Sequence, residues 1–420
     1  MNPTWFAAVI FLIAYAVIVS DRVHRTIAAL LGGLTIILVG VLDQYQAFHA
    51  IDWNVIFLLA GMMMIANMLQ DTGLFQWIAI QSVRLGKGNT YRILVILVLV
   101  TAVTSALLDN VTIVILMAPV TLFITARLRI SPLPFLIALI LASNIGGTAT
   151  LVGDPPNILI GSAAGIDFIT FAANLAPISL LILIAFIGLA WFLFKNDLQV
   201  AKIDPLSFET LDTSELITNE PLLRKSLVVM AGVILGFLFH GALHLEPATI
   251  ALAGATVLML WGRIDPDHVL QEIEWTALFF FIGLFIMVEA LVEVGIIEVV
   301  AQAALRLTDG NLQMTSMLLI WLSAVASGVV DNIPYTATMI PVVENLGQVM
   351  PVGPLWWSLA LGACLGGNAT LVGAAANVVV ANLAEKSGHP ISFGLFLRYG
   401  AITTFLSLIL ASLYVWVRYL

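Results

Sequence analysis

The chain has 420 residues, of which 61% are hydrophobic and 10% charged, and its formal net charge is −9. A soluble globular chain carries about 25% charged residues, so this composition excludes a soluble fold, and no basic patch offers itself to nucleic acid. The one cysteine, Cys364, excludes an internal disulfide framework.

The first apolar run, Thr4 to Ser20, has no Lys or Arg before it. It lacks the basic segment of a cleaved signal peptide and is expected to remain as a span. Runs at 26–42 and 54–70 follow, each approaching the roughly 20 residues that cross a bilayer. An amphipathic piece from Gly73 to Leu85 comes next. Two apolar helices, 91–108 and 111–127, then flank Asp109-Asn110. After them a span is interrupted by Asn144-Ile145-Gly146-Gly147-Thr148-Ala149-Thr150-Leu151-Val152-Gly153-Asp154-Pro155-Pro156-Asn157, and the run Leu175 to Phe194 closes the series. Residues 195–225 are polar, contain Pro205 and Pro221, and read as a linker.

The series then recurs: spans at 226–242, 247–262 and 275–293, an amphipathic piece from Gly295 to Leu307, paired helices at 312–330 and 333–349, an interrupted span, and a last run from Phe393 to Val417. Asp52-Trp53 matches Glu274-Trp275, Gly61 matches Gly283, Gly73 matches Gly295, Asp109-Asn110 matches Asp331-Asn332, and Pro119 matches Pro341, all 222 residues apart. Gly146-Gly147-Thr148-Ala149-Thr150-Leu151-Val152-Gly153 matches Gly366-Gly367-Asn368-Ala369-Thr370-Leu371-Val372-Gly373, and Asn157 matches Asn377, at an offset of 220. The chain therefore divides into repeats at 1–194 and 226–420.

If the amphipathic piece lies in the interface and the paired helices return to their starting side, each repeat crosses five times. Fourteen of the sixteen Lys and Arg residues then share one side, and only Arg306 and Arg418 fall on the other. That bias marks the first side as cytoplasmic. The expectation is an all-α polytopic membrane protein of two inverted repeats, in a bacterial-type inner membrane, with the 195–225 linker cytoplasmic and both termini outside. Charge counting does not separate a re-entrant hairpin from a pair that crosses fully.

Inverted repeats with interrupted helices are a sequence signature of secondary transporters, whose site lies at the midplane where the breaks meet. Asp109 and Asn110 suit a helix start, where a side-chain oxygen caps free N–H groups. A carboxylate inside an apolar stretch is expensive and usually functional, and this one recurs as Asp331. Asp154 before Pro155 also reads as a capping carboxylate followed by proline at a position that needs no N–H. Unwound backbone at such depth is tolerated where it lines a cavity or is buried in protein. The second break keeps Asn368, Thr370 and Asn377 but has Ala374-Ala375-Ala376 in place of Asp-Pro-Pro.

One repeat thus carries a third carboxylate, and a coupling ion needs only one such site. No Lys or Arg falls in any break. The site suits a cation, a proton or a neutral polyhydroxyl species rather than a multiply charged anion. Burial disfavours a carboxylate's charged form, so Asp109, Asp154 and Asp331 are each candidate proton carriers.

Weaker candidates are His240 and His244 near Glu246, read as structural or interfacial, and Glu289, which is a second titrating group or else a paired, near-interface residue. Cys364 reads foremost as a small buried hydrophobe, with contact to a soft metalloid as the alternative. Met62-Met63-Met64 reads as packing.

At Leu108-Asp109-Asn110-Val111-Thr112 with Pro119, and at Asn144 to Gly147 and Gly153 to Asn157, the chain resembles the ion transporter superfamily. It looks like the branch of ArsB-type arsenite permeases, NhaD-type sodium/proton antiporters and the melanosomal P protein, and its phrasing is closest to the P-protein-like permeases. The resemblance covers nearly the whole chain. It implies a homodimer with a scaffold and a mobile transport domain, re-entrant hairpins and elevator-type movement, and, for the arsenite pumps, a soluble ATPase subunit. Dicarboxylate transporters of the superfamily carry Ser-Asn-Thr at the hairpin tips, where Asp109 and Asp331 stand here.

The expected function is therefore proton-coupled export of arsenite or antimonite. The neutral trihydroxide would be bound by Asn110, Asn332, Thr148, Thr150, Asn368 and Thr370. Thr112, Asn144, Gly146, Gly147, Asn157, Gly366, Gly367 and Asn377 complete the candidate binding set. Sodium/proton exchange at Asp109, Asp154 and Asp331 is the alternative, and an ion channel is the reading from another class. No cofactor is expected beyond H+ or Na+ as coupling ion. No HExxH, Gly-x-Ser-x-Gly or cofactor motif supports an enzyme.

Overall fold

The structure is a computed structural model and describes residues 3–20, 22–198 and 216–420. Most of the expected linker lies outside the described residues. Among them every regular element is a helix, and the two repeats present the same series of ten. The first repeat runs α1 (Pro3–Ser20), α2 (Arg25–Val39), α3 (Gln44–His49), α4 (Trp53–Gln70), α5 (Leu74–Gly86), α6 (Thr90–Ser105), α7 (Asn110–Leu128), α8 (Leu133–Gly147), α9 (Pro155–Ala164) and α10 (Phe168–Leu198). The second runs α11 (Glu220–Leu243), α12 (Pro247–Gly262), α13 (Pro266–Gln271), α14 (Trp275–Glu293), α15 (Ile296–Leu307), α16 (Leu312–Val330), α17 (Asn332–Leu346), α18 (Gly353–Gly366), α19 (Ala375–Lys386) and α20 (Phe393–Tyr419).

Local chemistry accounts for the boundaries. Asp52 caps α4, its carboxylate accepting the Val55 N–H at 3.1 Å. Asn89 caps α6 through the Arg92 N–H, and Asn311, 222 residues on, caps α16 through the Met314 N–H, each at 3.0 Å. The short helices α3 and α13 were not expected from the apolar runs. Each has a start signal, Asp43 in a capping box with Gln46 and Asp265 followed by Pro266.

Among the described residues eight helices are long and apolar enough to cross a membrane, four in each repeat, and α2, α6, α8 and α12 are shorter apolar helices. Large apolar side chains point outward from them, with Leu38 85% and Leu260 81% exposed. A surface of that kind meets lipid rather than water.

The helices sort into two packed groups. In one, α2 crosses α14 and α4 crosses α12, with α1 and α11 alongside. Glycine lets these backbones touch: a Cβ on Gly283 would lie 2.5 Å from the Ala29 carbonyl carbon, and one on Gly61 would lie 2.8 Å from that of Ala251. In the other, α6 packs on α8 and α16 on α18. The second arm of each hairpin, α7 or α17, lies against the second segment of the opposite repeat's broken helix, α19 or α9. This exchange brings the starts of α7, α9, α17 and α19 together.

Candidate functional site

At the first hairpin tip Asp109 caps α7. Its carboxylate accepts the N–H groups of Val111 at 2.8 Å and Thr112 at 3.3 Å, and the Thr112 hydroxyl donates to it as well. At the second tip Asp331 caps α17 through the Ile333 N–H at 3.0 Å. It does so from a backbone φ of +112°, whereas the other non-glycine residues with positive φ lie between 47° and 55°. That conformation is strained for a residue with a Cβ.

The two breaks are folded by the same contacts. Asn157 donates to the carbonyls of Gly147 and Thr150 at 3.0 and 2.9 Å; Asn377 donates to those of Gly367 and Thr370 at 2.7 and 2.8 Å. Thr150 and Thr370 donate their hydroxyl hydrogens to the carbonyls of Ala106 and Gly328, each at 2.5 Å. The tips dock on the breaks through the N–H of Asn110 on the Gly153 carbonyl at 3.1 Å and that of Asn332 on the Gly373 carbonyl at 3.2 Å. Glycine is needed where these strands of backbone meet: a Cβ on Gly153 would lie 2.5 Å from the Gly147 oxygen. Gly146 and Gly366 similarly press on Ala102 and Ala324. These threonines and asparagines therefore spend their donors on the scaffold of the site.

Side chains join the repeats at the centre. Asn144 accepts from Asn110 at 3.0 Å and donates to Asn368 at 2.9 Å and Asn377 at 3.0 Å. Cys364 occupies the position 220 residues after Asn144, and its thiol donates to Asn157 at 3.2 Å. Thr148 donates to the Asn144 carbonyl at 2.7 Å. Cys364 is thus a member of the polar network, which the reading of it as a plain apolar filler missed. The 220-residue offset was the available signal, since it aligns the cysteine with an amide that bonds in the same way.

Asp154 corrects another expectation. It stands at the N-cap of α9 but its side chain caps nothing. Pro155 and Pro156 have no N–H to offer, and the first free one, on Asn157, is taken by the Asp154 carbonyl at 2.9 Å. The freed carboxylate turns to the other repeat, where the Asn332 amide donates to both oxygens at 3.2 and 3.3 Å. Asp154 is fully enclosed, whereas Asp109 and Asp331 keep 8% and 9% of their surface. Among the described residues the buried Oδ1 of Asn110, an acceptor beside these groups, has no hydrogen-bond partner.

Asp331 borders a cleft of about 240 Å³, and Thr112 beside Asp109 borders another of about 250 Å³ with Glu272 and Glu274. Arg25 reaches the first of these from the start of α2. Its guanidinium lies 3.1 Å from the Asp331 carboxylate and 5.5 Å from the centre of the Phe280 ring. Arg25 counted only toward topology in the sequence, because contact across 306 residues leaves no local pattern.

His240 and His244 stand apart from this centre, bordering a cavity of about 610 Å³. His240 Nε2 accepts the Phe168 N–H at 3.2 Å and so ties α11 to α10. Glu289 lies near Glu344 and Glu293 rather than among the three aspartates. Among the described residues one group of three metal-type side chains gathers, Asp71, His268 and Glu272, all exposed.

Residues 15–362 match the family CitMHS, described as citrate transporter. Two uncharacterized transporters of Mycobacterium tuberculosis H37Rv are 45% and 46% identical to the chain, each over 98% of both lengths. The P protein of Homo sapiens is 34% identical over 92% of this chain and 56% of its own. The crystal structure of the Alcanivorax borkumensis YdaH transporter shares the fold, with a TM-score of 0.56 at 14% identity, covering 99% of this chain and 98% of that one.

Proposed function

The chain belongs to the CitMHS citrate-transporter family, as a multi-pass secondary transporter, and from that premise we propose that it exports a neutral metalloid trihydroxide, arsenite or antimonite, in exchange for protons. The observation that carries the reading is the contact of Asp154 in one repeat with Asn332 in the other, at the centre of a buried polar cluster. The groups there are amides, hydroxyls, one thiol and three carboxylates. A neutral polyhydroxyl solute finds acceptors for its O–H groups on the carboxylates and on the unpartnered Asn110 oxygen. It needs no cationic clamp. A free citrate trianion would face three carboxylates against one guanidinium, an arrangement that disfavours it as the solute.

In this scheme Asp154 exchanges one proton per cycle. Ionised, it accepts from Asn332 and from substrate hydroxyls. Protonated, it gains an O–H donor and keeps one acceptor for Asn332 instead of two, which loosens the second hairpin from the first break. The hairpins and broken helices then move as a body against the α2·α14 and α4·α12 crossings, carrying the site across the membrane. The Cys364 thiol, on the same cluster, offers arsenic or antimony a soft, non-covalent sulfur contact.

Sodium/proton exchange is the second reading, favoured by the carboxylate excess, with Asp109, Asp154 and Asp331 as the cation ligands. Reconstitution in liposomes under an imposed pH gradient separates them, with arsenite, antimonite, sodium, lithium, chloride and citrate as probes. Saturable metalloid flux with counter-flow, indifferent to sodium and lithium, is expected. Proton movement driven by sodium or lithium with no metalloid flux would replace the first reading by the second, and flux without saturable counter-flow would favour a channel.

A further inference from the structure

Among the described residues a basic side chain stands at one hairpin tip only. Arg25 pairs with Asp331, while the matching Asp109 takes the Thr112 hydroxyl instead, and the position 222 residues after Arg25 is Pro247. We propose that Arg25 is a tethered cation that competes for Asp331 with a coupling proton additional to the one carried by Asp154, so that Asp331 loads and unloads by exchange with the guanidinium. The inference deepens the coupled-transport reading and rests on it for the identity of the competing cation.

Three features support an exchange rather than a fixed strut. The two oxygens of Asp331 have separate tasks. Oδ1 holds the α17 cap and Oδ2 holds Arg25, so releasing the guanidinium leaves the hairpin tip folded. The pair also spans the two helix groups, with Arg25 on α2 beside the α14 crossing and Asp331 at the start of α17. Relative movement of the groups must break it, and a carboxylate left unpaired there takes up a cation.

The released guanidinium has somewhere to go. Phe280 of α14 already lies under it, and Arg25 and Asp331 both line the cleft, their side chains 33% and 12% exposed. A cation can therefore reach the carboxylate as the arginine leaves. The ionisable groups around the pair are His24 before α2, Tyr15 on α1, Glu274 before α14, Tyr335 on α17 and Asp154 in the break. None of them is a second fixed cation.

The test uses purified full-length protein and reads protons directly as well as transport. Infrared spectra across pH are compared for wild type, Arg25→Gln, Asp331→Asn and the double variant. Arg25→Gln is expected to gain a protonated-carboxyl band near neutral pH, and the double variant to lack it. In liposomes carrying arsenite, the proton concentration giving half-maximal flux is expected to fall at least tenfold in Arg25→Gln, with the double variant matching Asp331→Asn.

An Arg25→Gln spectrum that titrates as wild type, or a band that persists in the double variant, overturns the proposal. If Arg25→Gln does not fold, Arg25→Lys carries the test. Its ammonium makes a weaker single contact, so a smaller shift in the same direction is expected, and no shift is fatal. If the infrared result holds while wild type moves no arsenite, the exchange at Asp331 stands and the metalloid reading falls.

Discussion

Asp154 and Asn332 carry the proposed coupling, and their individual worth can be measured. In Asp154→Asn the amide keeps one acceptor for Asn332 and removes a buried charge, so the variant is expected to fold. Proton-driven flux in liposomes is expected to drop to background, and wild-type flux in that variant would remove Asp154 from the mechanism. Asn332→Ala acts differently, because it leaves the Asp154 carboxylate without its amide donor. A buried acceptor that loses its donor costs about 1–3 kcal/mol, and more when it is charged, so destabilisation of at least that size is expected in a denaturant titration in detergent.

At the level of single residues, the polar positions that stand out in the sequence are ones the structure brings close together. The three aspartates and the amides were visible as polar residues in apolar surroundings. The sequence was a poor guide to partners. Asp154 looked like a cap for its own helix and bonds the other repeat instead; Arg25 looked like a topology marker and ends on Asp331.

The helices show why boundaries were legible and packing was not. Apolar runs delimit spans, so α14 was expected at 275–293 and occupies Trp275–Glu293. Broken helices were legible because glycine clusters and Asp-Pro-Pro are incompatible with continuous helix. The exchange of α7 and α17 between the breaks had no signature, because residues on an all-apolar helix do not declare which face is buried.

The breaks themselves depend on backbone contact. Gly153→Ala would place a methyl 2.5 Å from the Gly147 oxygen and 2.7 Å from that of Ser105. Overpacking of this kind costs about 1–3 kcal/mol, and a fall in thermal midpoint together with loss of flux is expected. Gly188→Ala in α10 meets nothing within 4 Å. Alanine is the better helix former by about 1 kcal/mol, so the same measurement should show no loss there.

For the whole molecule, the repeat makes a geometric prediction that composition alone does not. If each repeat crosses five times, the second is inverted relative to the first, and residues at corresponding positions face opposite sides of the membrane. His49 and Gln271 close the short helices α3 and α13, are 222 residues apart, and are both exposed. With a cysteine at His49, labelling by a membrane-impermeant thiol reagent is expected in intact cells. With one at Gln271, labelling is expected only after the membrane is opened. Cys364 is fully buried and gives no background. Labelling of both positions from the same side would mean parallel repeats. The four helix starts would then no longer approach the centre from opposite faces, and the fourteen-to-two charge bias would need another cause. Opposite labelling would place the acidic cleft at Glu272 and Glu274 and the Arg25 cleft on the same, cytoplasmic, side. Both hairpin tips would then be reached from the cytoplasm in this conformation, as an exporter waiting for its substrate requires.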